Sequence, residues 1–179
     1  MTARWRAGSR EARQAIAGRH IVRKAITLAA EPERVFDMWR DASTHSRIRD
    51  FEVTAVSDNR WHWRRELPGG RHAEWDTVFT HEQRPERLEW RSENGGPRWG
   101  VFHQGVLHLR PAHNGQETEL RLSLELSLAQ NLLWVRPRIE YGVERALRRF
   151  RQLVETGELS TVAGQPAYGQ EGGRMGKAA

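Results

Sequence analysis

The chain of 179 residues has no cysteine, which removes disulfides, thiol nucleophiles and thiolate metal sites together. Lysine occurs only at Lys24 and Lys177, so the formal charge of +6 rests on arginine. Those arginines alternate with acids instead of forming blocks, which disfavours nucleic acid as a partner and leaves peripheral membrane contact open. No apolar run approaches the length of a membrane span, and Met1 to His20 lacks the apolar stretch of a signal peptide. A cytoplasmic location is the default expectation. The apolar fraction is a low 37%, and the shortage is concentrated at the two ends. We therefore expect a flexible Arg-rich arm over 1–19, one domain over 20–158 and a disordered tail over 159–179.

Signatures of assisted chemistry are also missing. The eight histidines show no His-x-His or His-Glu-x-x-His spacing, and His103 and His108, five apart on a strand, point to opposite faces. Pro68-Gly69-Gly70 and Gly95-Gly96-Pro97 lead into no helix, so they are turns and not phosphate cradles. No serine sits in a nucleophile elbow. Neither a metal nor a cofactor is expected.

What is present is a strong change of period along the chain. His20 to Leu28 reads as a strand with Val22, Ile26 and Leu28 on one face, and Glu31-Pro32-Glu33 opens a helix that buries Val35, Phe36, Met38 and Trp39. Asp41 to Arg49 is polar and reads as a second short helix or a loop. From Asp50 the period is two: strands at 51–56, 60–67, 73–82, 87–92, 99–110 and 118–128 are separated by turn residues, among them the hairpin dipeptide Asn114-Gly115. The last carries Leu120, Leu122, Leu124, Leu126 and Leu128 on one side. A long helix from about Arg138 to Gly157 closes the pattern, with Ile139, Val143, Ala146, Leu147, Phe150, Leu153 and Val154 as its stripe. Glu144 falls on the opposite, solvated face, spaced to pair with Arg148. This order predicts an α+β domain: a curved antiparallel sheet of about seven strands wrapped around the C-terminal helix, with one or two short helices after the first strand.

The order resembles the helix-grip architecture of the START-like superfamily. Local sequence is similar to the bacterial polyketide cyclase/dehydrase and lipid-transport family (SRPBCC), in its coenzyme-Q-binding-like branch, over about Ile21 to Pro166. The similar stretches are Pro32 to Asp41, Glu74-Trp75-Asp76, Glu86 to Ser92, and Leu147 to Glu158 with Gly164-Gln165-Pro166. Two segments depart from the family pattern, Thr44 to Asp50 and the short link Ala129 to Pro137, and both would border the mouth of a cavity.

The resemblance implies a mostly apolar cavity between sheet and helix. Strand parity then names its lining: Trp61, Trp63, Trp75, Phe79, Trp90, His103, Leu107, Leu122 and Leu124, faced by Val143 and Leu147 of the helix. Each of the eight tryptophans either packs a core or grips a flat hydrophobic molecule. His103 is the one polar group in an apolar row, and Arg65 and Tyr141 are further candidates for moving protons. The first expectation is binding of a small hydrophobic molecule such as a lipid, isoprenoid, quinone or aromatic metabolite. A polyketide cyclase or aromatase in the same cavity is the alternative, and an interaction module on a membrane-associated or ribosomal complex is the third reading.

Overall fold

The computed structural model describes residues 18–93, 102–128 and 136–159. The Arg-rich arm, the tail with Gly164-Gln165-Pro166, the turn at Asn94-Gly95-Gly96 and most of the link after Leu128 lie outside the described residues.

In chain order the elements are β1 (Gly18–Leu28), α1 (Pro32–Trp39), α2 (Ala42–Ile48), β2 (Glu52–Ser57), β3 (Arg60–Leu67), β4 (Arg71–Gln83), β5 (Arg87–Glu93), β6 (Phe102–Ala112), β7 (Glu117–Leu128) and α3 (Arg136–Thr156). One antiparallel sheet runs β1-β7-β6-β5-β4-β3-β2. The six later strands are a meander, and β1 returns to the free edge of β7, pairing Gly18 with Leu128 through Leu28 with Thr118. The fold is an α+β helix grip.

Local chemistry accounts for the boundaries. Pro32 occupies the first turn of α1 with Glu33 near its positive end. Asp41 caps α2, accepting from the Ser43 backbone N–H at 2.9 Å. Gly157 ends α3 at φ 74, and its N–H donates to the Leu153 carbonyl at 2.9 Å. Asn114-Gly115 does join β6 to β7, but within a one-turn 3₁₀ helix at His113–Gly115, so Ala112 faces Glu117 across a longer loop than a two-residue hairpin.

The core lies where α3 and α1 cover the middle and one edge of the sheet. Leu28, Leu88, Leu107 and Leu120 of the sheet, with Val35 of α1 and Phe150 of α3, are all completely shielded from solvent. α3 is graded along its length: Ala146, Leu147, Phe150, Leu153 and Val154 are buried, whereas Ile139 and Val143 are only half-buried. At that looser end polar pairs take over. Glu144 keeps a solvent-exposed side chain that feels the charge of Arg148, and it also reaches β1, where it accepts from Lys24. Four residues earlier, Glu140 lies 3.2 Å from His20 of the same strand.

Gly105 of β6 is a packing requirement. It lies opposite Trp90 in the register, and a Cβ there would come within 2.2 Å of the Trp90 ring, which therefore lies flat across the neighbouring strand.

Candidate functional site

Away from the leucine core, the interior between α2 and strands β3, β4 and β6 is built from rings. Residues of one parity share the concave face, so Trp61 and Trp63 of β3 stand beside Thr77 and Trp75 of β4 in the register. Trp63 and Trp75 stack with centroids 5.9 Å apart and planes at 8°. Phe51 meets both edge-on, at 6.2 and 5.3 Å, and Phe79 meets Trp61 at 4.8 Å. From β6, His103 presents its ring to Trp75 at 6.3 Å. Trp39, at the end of α1, joins the two regions through T-shaped contacts with Phe150 at 5.1 Å and His45 at 5.2 Å.

α2 supplies what the sequence reading missed. Thr44, His45 and Ile48, one helical face at i, i+1 and i+4, are buried against the tryptophans. His45 lies 5.1 Å from Trp61 and 5.6 Å from Trp63. Its Nε2 faces the Trp39 carbonyl at 2.7 Å. A carbonyl only accepts, so Nε2 carries the proton and Nδ1 keeps a lone pair that is buried without a partner. Arg49 follows at the helix end, its guanidinium carbon 5.4 Å from the centre of the Trp63 ring. The signal available in the sequence was the buried-face spacing of Thr44, His45 and Ile48, hidden by their polarity.

Many polar atoms here have no partner. His45 Nδ1, Arg49 Nε, Trp63 Nε1, Trp75 Nε1, Thr77 Oγ1 and His103 Nδ1 make up six of the eight buried side-chain polar atoms without a hydrogen bond among the described residues. Each such atom costs roughly 1–3 kcal/mol when nothing replaces water. Burial holds the imidazoles neutral: His45 is pulled down to about 3 and His103 to about 4, first by desolvation and then by the positive charge of Arg49. Desolvation also lowers Arg49 itself, to about 10, which leaves it charged at neutral pH.

The remaining candidates are distributed more widely. Trp90 and Phe79 are half-buried between the ring cluster and the core. Leu107, Leu122 and Leu147 pack inside the leucine core, and Leu124 sits with Val143 in a smaller cluster around Val22 and Leu126. Tyr141 does not face the interior: it is 60% exposed, because a residue two positions from Ile139 and two from Val143 falls on the other side of a helix with 3.6 residues per turn. Arg65 is exposed at the end of β3, with its guanidinium 5.3 Å from the Phe51 ring. A bulge between Phe79 and His81 turns His81 out to solvent. Two clefts of about 480 and 370 Å³ open elsewhere, and of the ring cluster only Trp61 lines either. We place the site at the rings, since those clefts lack converging unpaired groups. Among the described residues no group of acids and histidines is arranged to hold a metal, and no helix is long and apolar enough to cross a membrane.

The family model for activator of Hsp90 ATPase homolog 1-like protein matches residues 29–155. The chain belongs to this family. It is thereby a member of the START-like helix-grip superfamily, and the match does not extend to the coenzyme-Q-binding-like branch that the local motifs resemble. Solved structures share the fold at low identity. A Deinococcus radiodurans protein is 24% identical with a TM-score of 0.60, covering 78% of this chain and 100% of its own. A conserved Geobacillus kaustophilus protein is 13% identical with a TM-score of 0.61, over 75% and 95%. Norcoclaurine synthase from Thalictrum flavum is 15% identical with a TM-score of 0.61, over 86% and 95%; that enzyme has also been solved with dopamine and hydroxybenzaldehyde. No curated protein matches the chain. The family and fold are those of a hydrophobic-ligand-binding domain in general terms.

Proposed function

We propose that this protein binds one small, flat hydrophobic molecule among Trp61, Trp63, Trp75, His45 and His103, as a carrier or sequestering protein. One observation supports the reading above the others: the unpaired polar atoms gather around stacked rings, where a ligand with matching polar groups would repay their desolvation. The other half of this sheet fills its interior mainly with leucine, around Phe36, Trp39 and Phe150. Dopamine and hydroxybenzaldehyde in the norcoclaurine synthase complex belong to that enzyme, and they are flat aromatic molecules of the size proposed for this chain. A cyclase reading finds less support, because two of its three proton-moving groups, Tyr141 and Arg65, stand exposed and away from His103.

The reading is tested by native mass spectrometry of the protein as purified, followed by thermal-shift and tryptophan-fluorescence titration with a panel of lipids, quinones and aromatic metabolites. A bound mass or a saturable shift is expected, with Trp75→Ala weakening it. Absence of both across the panel would overturn the proposal.

A further inference from the structure

Arg49 is a half-buried cation over the Trp63 ring with no counter-ion among the described residues. It ends α2: its N–H donates to the His45 carbonyl at 3.1 Å, and its backbone then becomes extended at φ −125 and ψ 161, which carries the side chain over Trp63. Three nearby arginines are paired, whereas the exposed Arg47 and Arg65 have no ion pair among the described residues. Arg40 meets Glu82 at 3.0 Å, and Arg145 and Arg149 meet Asp50 at 3.1 and 3.5 Å. Asp50, the acid adjacent in sequence, is thus engaged on the outside and is itself exposed. The two stretches that interrupt the described domain, 94–101 and 129–135, contain no aspartate or glutamate at all, so neither can supply the missing charge.

The groups near Arg49 are mostly donors. The indole N–H groups of Trp63 and Trp75 can only donate, and both lack an acceptor, as does Arg49 Nε. The histidines contribute no negative charge, being neutral, and each is pushed toward neutrality by Arg49. A half-buried positive charge without a partner leaves room for something else to supply the anion. A ring face alone, as offered by Trp63, stabilises a cation but accepts none of its N–H bonds.

We infer that the ligand is an organic acid: a flat or extended hydrophobic body against the tryptophans, with its carboxylate on Arg49 and the unpaired Trp63 and Trp75 indole N–H groups as further donors. This rests on the ring cluster being the ligand site, and it adds the charge of the ligand to that reading. A neutral quinone or sterol would leave the guanidinium unpaired and should bind less well than an acid of the same shape.

The test compares acids with their own esters, so that the apolar body is held constant. Isothermal titration of the full chain at pH 7 with 2-naphthoate and methyl 2-naphthoate, and with oleate and methyl oleate, should show at least one acid preferred over its ester by about tenfold or more, the range of a charge-assisted hydrogen bond. Arg49→Met should abolish that preference, and Arg49→Lys should keep part of it. Because the cation has no internal partner, Arg49→Met is also expected to leave the melting temperature unchanged or higher. Equal binding of acid and ester by the unmodified protein would overturn the anionic ligand while leaving hydrophobic binding intact. No binding of either pair, with an empty panel, would remove the site itself. A marked fall in melting temperature for Arg49→Met would show that the charge is satisfied internally, and would also overturn the inference.

Discussion

Between α3 and strands β1, β5, β6 and β7 the interior is mainly leucine around Phe36, Trp39 and Phe150, and its buried hydroxyl is satisfied; between α2 and strands β3 and β4 it is aromatic, and six buried side-chain polar atoms gather there without a partner. On the first side Leu28, Leu88, Leu107, Leu109 and Leu120 are at most 2% exposed, and the one buried hydroxyl, Thr118, donates to the Ala30 carbonyl at 2.6 Å. On the second side Thr77 is equally buried, yet its hydroxyl has no partner, nor do the indoles of Trp63 and Trp75. One sheet therefore carries two interiors. The first leaves two buried polar atoms without a hydrogen bond, His20 Nε2 and Arg136 Nε, while the second leaves six and has the composition of a surface that has been covered and not paired. Stability and function are expected to separate along that line.

The largest effect should come from opening the leucine half. Phe150 is fully buried and packs edge-on against Trp39, so Phe150→Ala should cost about 3–5 kcal/mol by loss of transfer energy and creation of a cavity. Trp75→Phe, in the other half, removes a donor that has no acceptor and keeps a ring in place, so its cost should stay within about 1 kcal/mol. Chemical denaturation of the two variants measures both. Comparable losses would mean that the ring cluster is ordinary core.

A smaller effect is expected from acid, and it should also arise in the ring cluster. The folded values of His45 and His103, about 3 and about 4, lie below the ordinary 6.5, so the unfolded chain takes up protons first as the pH falls. Their contribution is complete above about pH 6.5 and is lost on going down toward 4, at up to about 1.4 kcal/mol per pH unit for each histidine. Urea midpoints taken from pH 7 to 5 should decline, and His103→Gln should remove roughly half of the decline. A flat profile over that interval would mean that these rings are hydrated in the folded protein.

The strands and α3 were legible because their faces differ in polarity at fixed periods. β7 is the clearest case: the alternation of leucines with Glu119, Arg121, Ser123 and Glu125 dictates which side meets the helix, and the observed pairing to β1 and β6 keeps it. Parity also brought Trp61, Trp63, Trp75 and His103 to one face. Parity cannot tell where along that face leucine gives way to tryptophan, because this depends on what covers it. The cover is α2, whose buried residues include a threonine and a histidine, and a helix of this kind looks polar until its partners are known. Arg49 was hidden for a related reason. Nothing distinguishes it from Arg47 in the sequence; the end of α2 turns one guanidinium over Trp63 and leaves the other exposed, where it reaches the Gly157 carbonyl at 3.5 Å. The second partner of Glu144 was not legible, because its i to i+4 neighbour Arg148 follows from spacing, whereas Lys24, 120 positions away, is brought near only by the return of β1 to the sheet edge.

The finest discrimination between the two interiors uses one substitution at two sites. Thr118 and Thr77 are buried to within 0% and 2% exposure in the same sheet, and valine matches the shape of threonine while removing its hydroxyl. At Thr118 the change strips a donor from the Ala30 carbonyl, which is left facing an apolar methyl, so Thr118→Val should cost about 1–2 kcal/mol. At Thr77 no bond is lost, and replacing an unpaired hydroxyl with a methyl should leave stability within about 0.5 kcal/mol or raise it. The signs should reverse for binding, because a hydroxyl kept without a protein partner is available to a ligand: Thr77→Val is expected to weaken the acid probe by a few-fold, and Thr118→Val to leave it unchanged. Parallel denaturation and titration of the two variants gives four numbers. If both valines cost the same stability, Thr77 is satisfied in solution after all, and the division of the sheet into a leucine half and a ring half would have to be redrawn around the indoles and Arg49 alone.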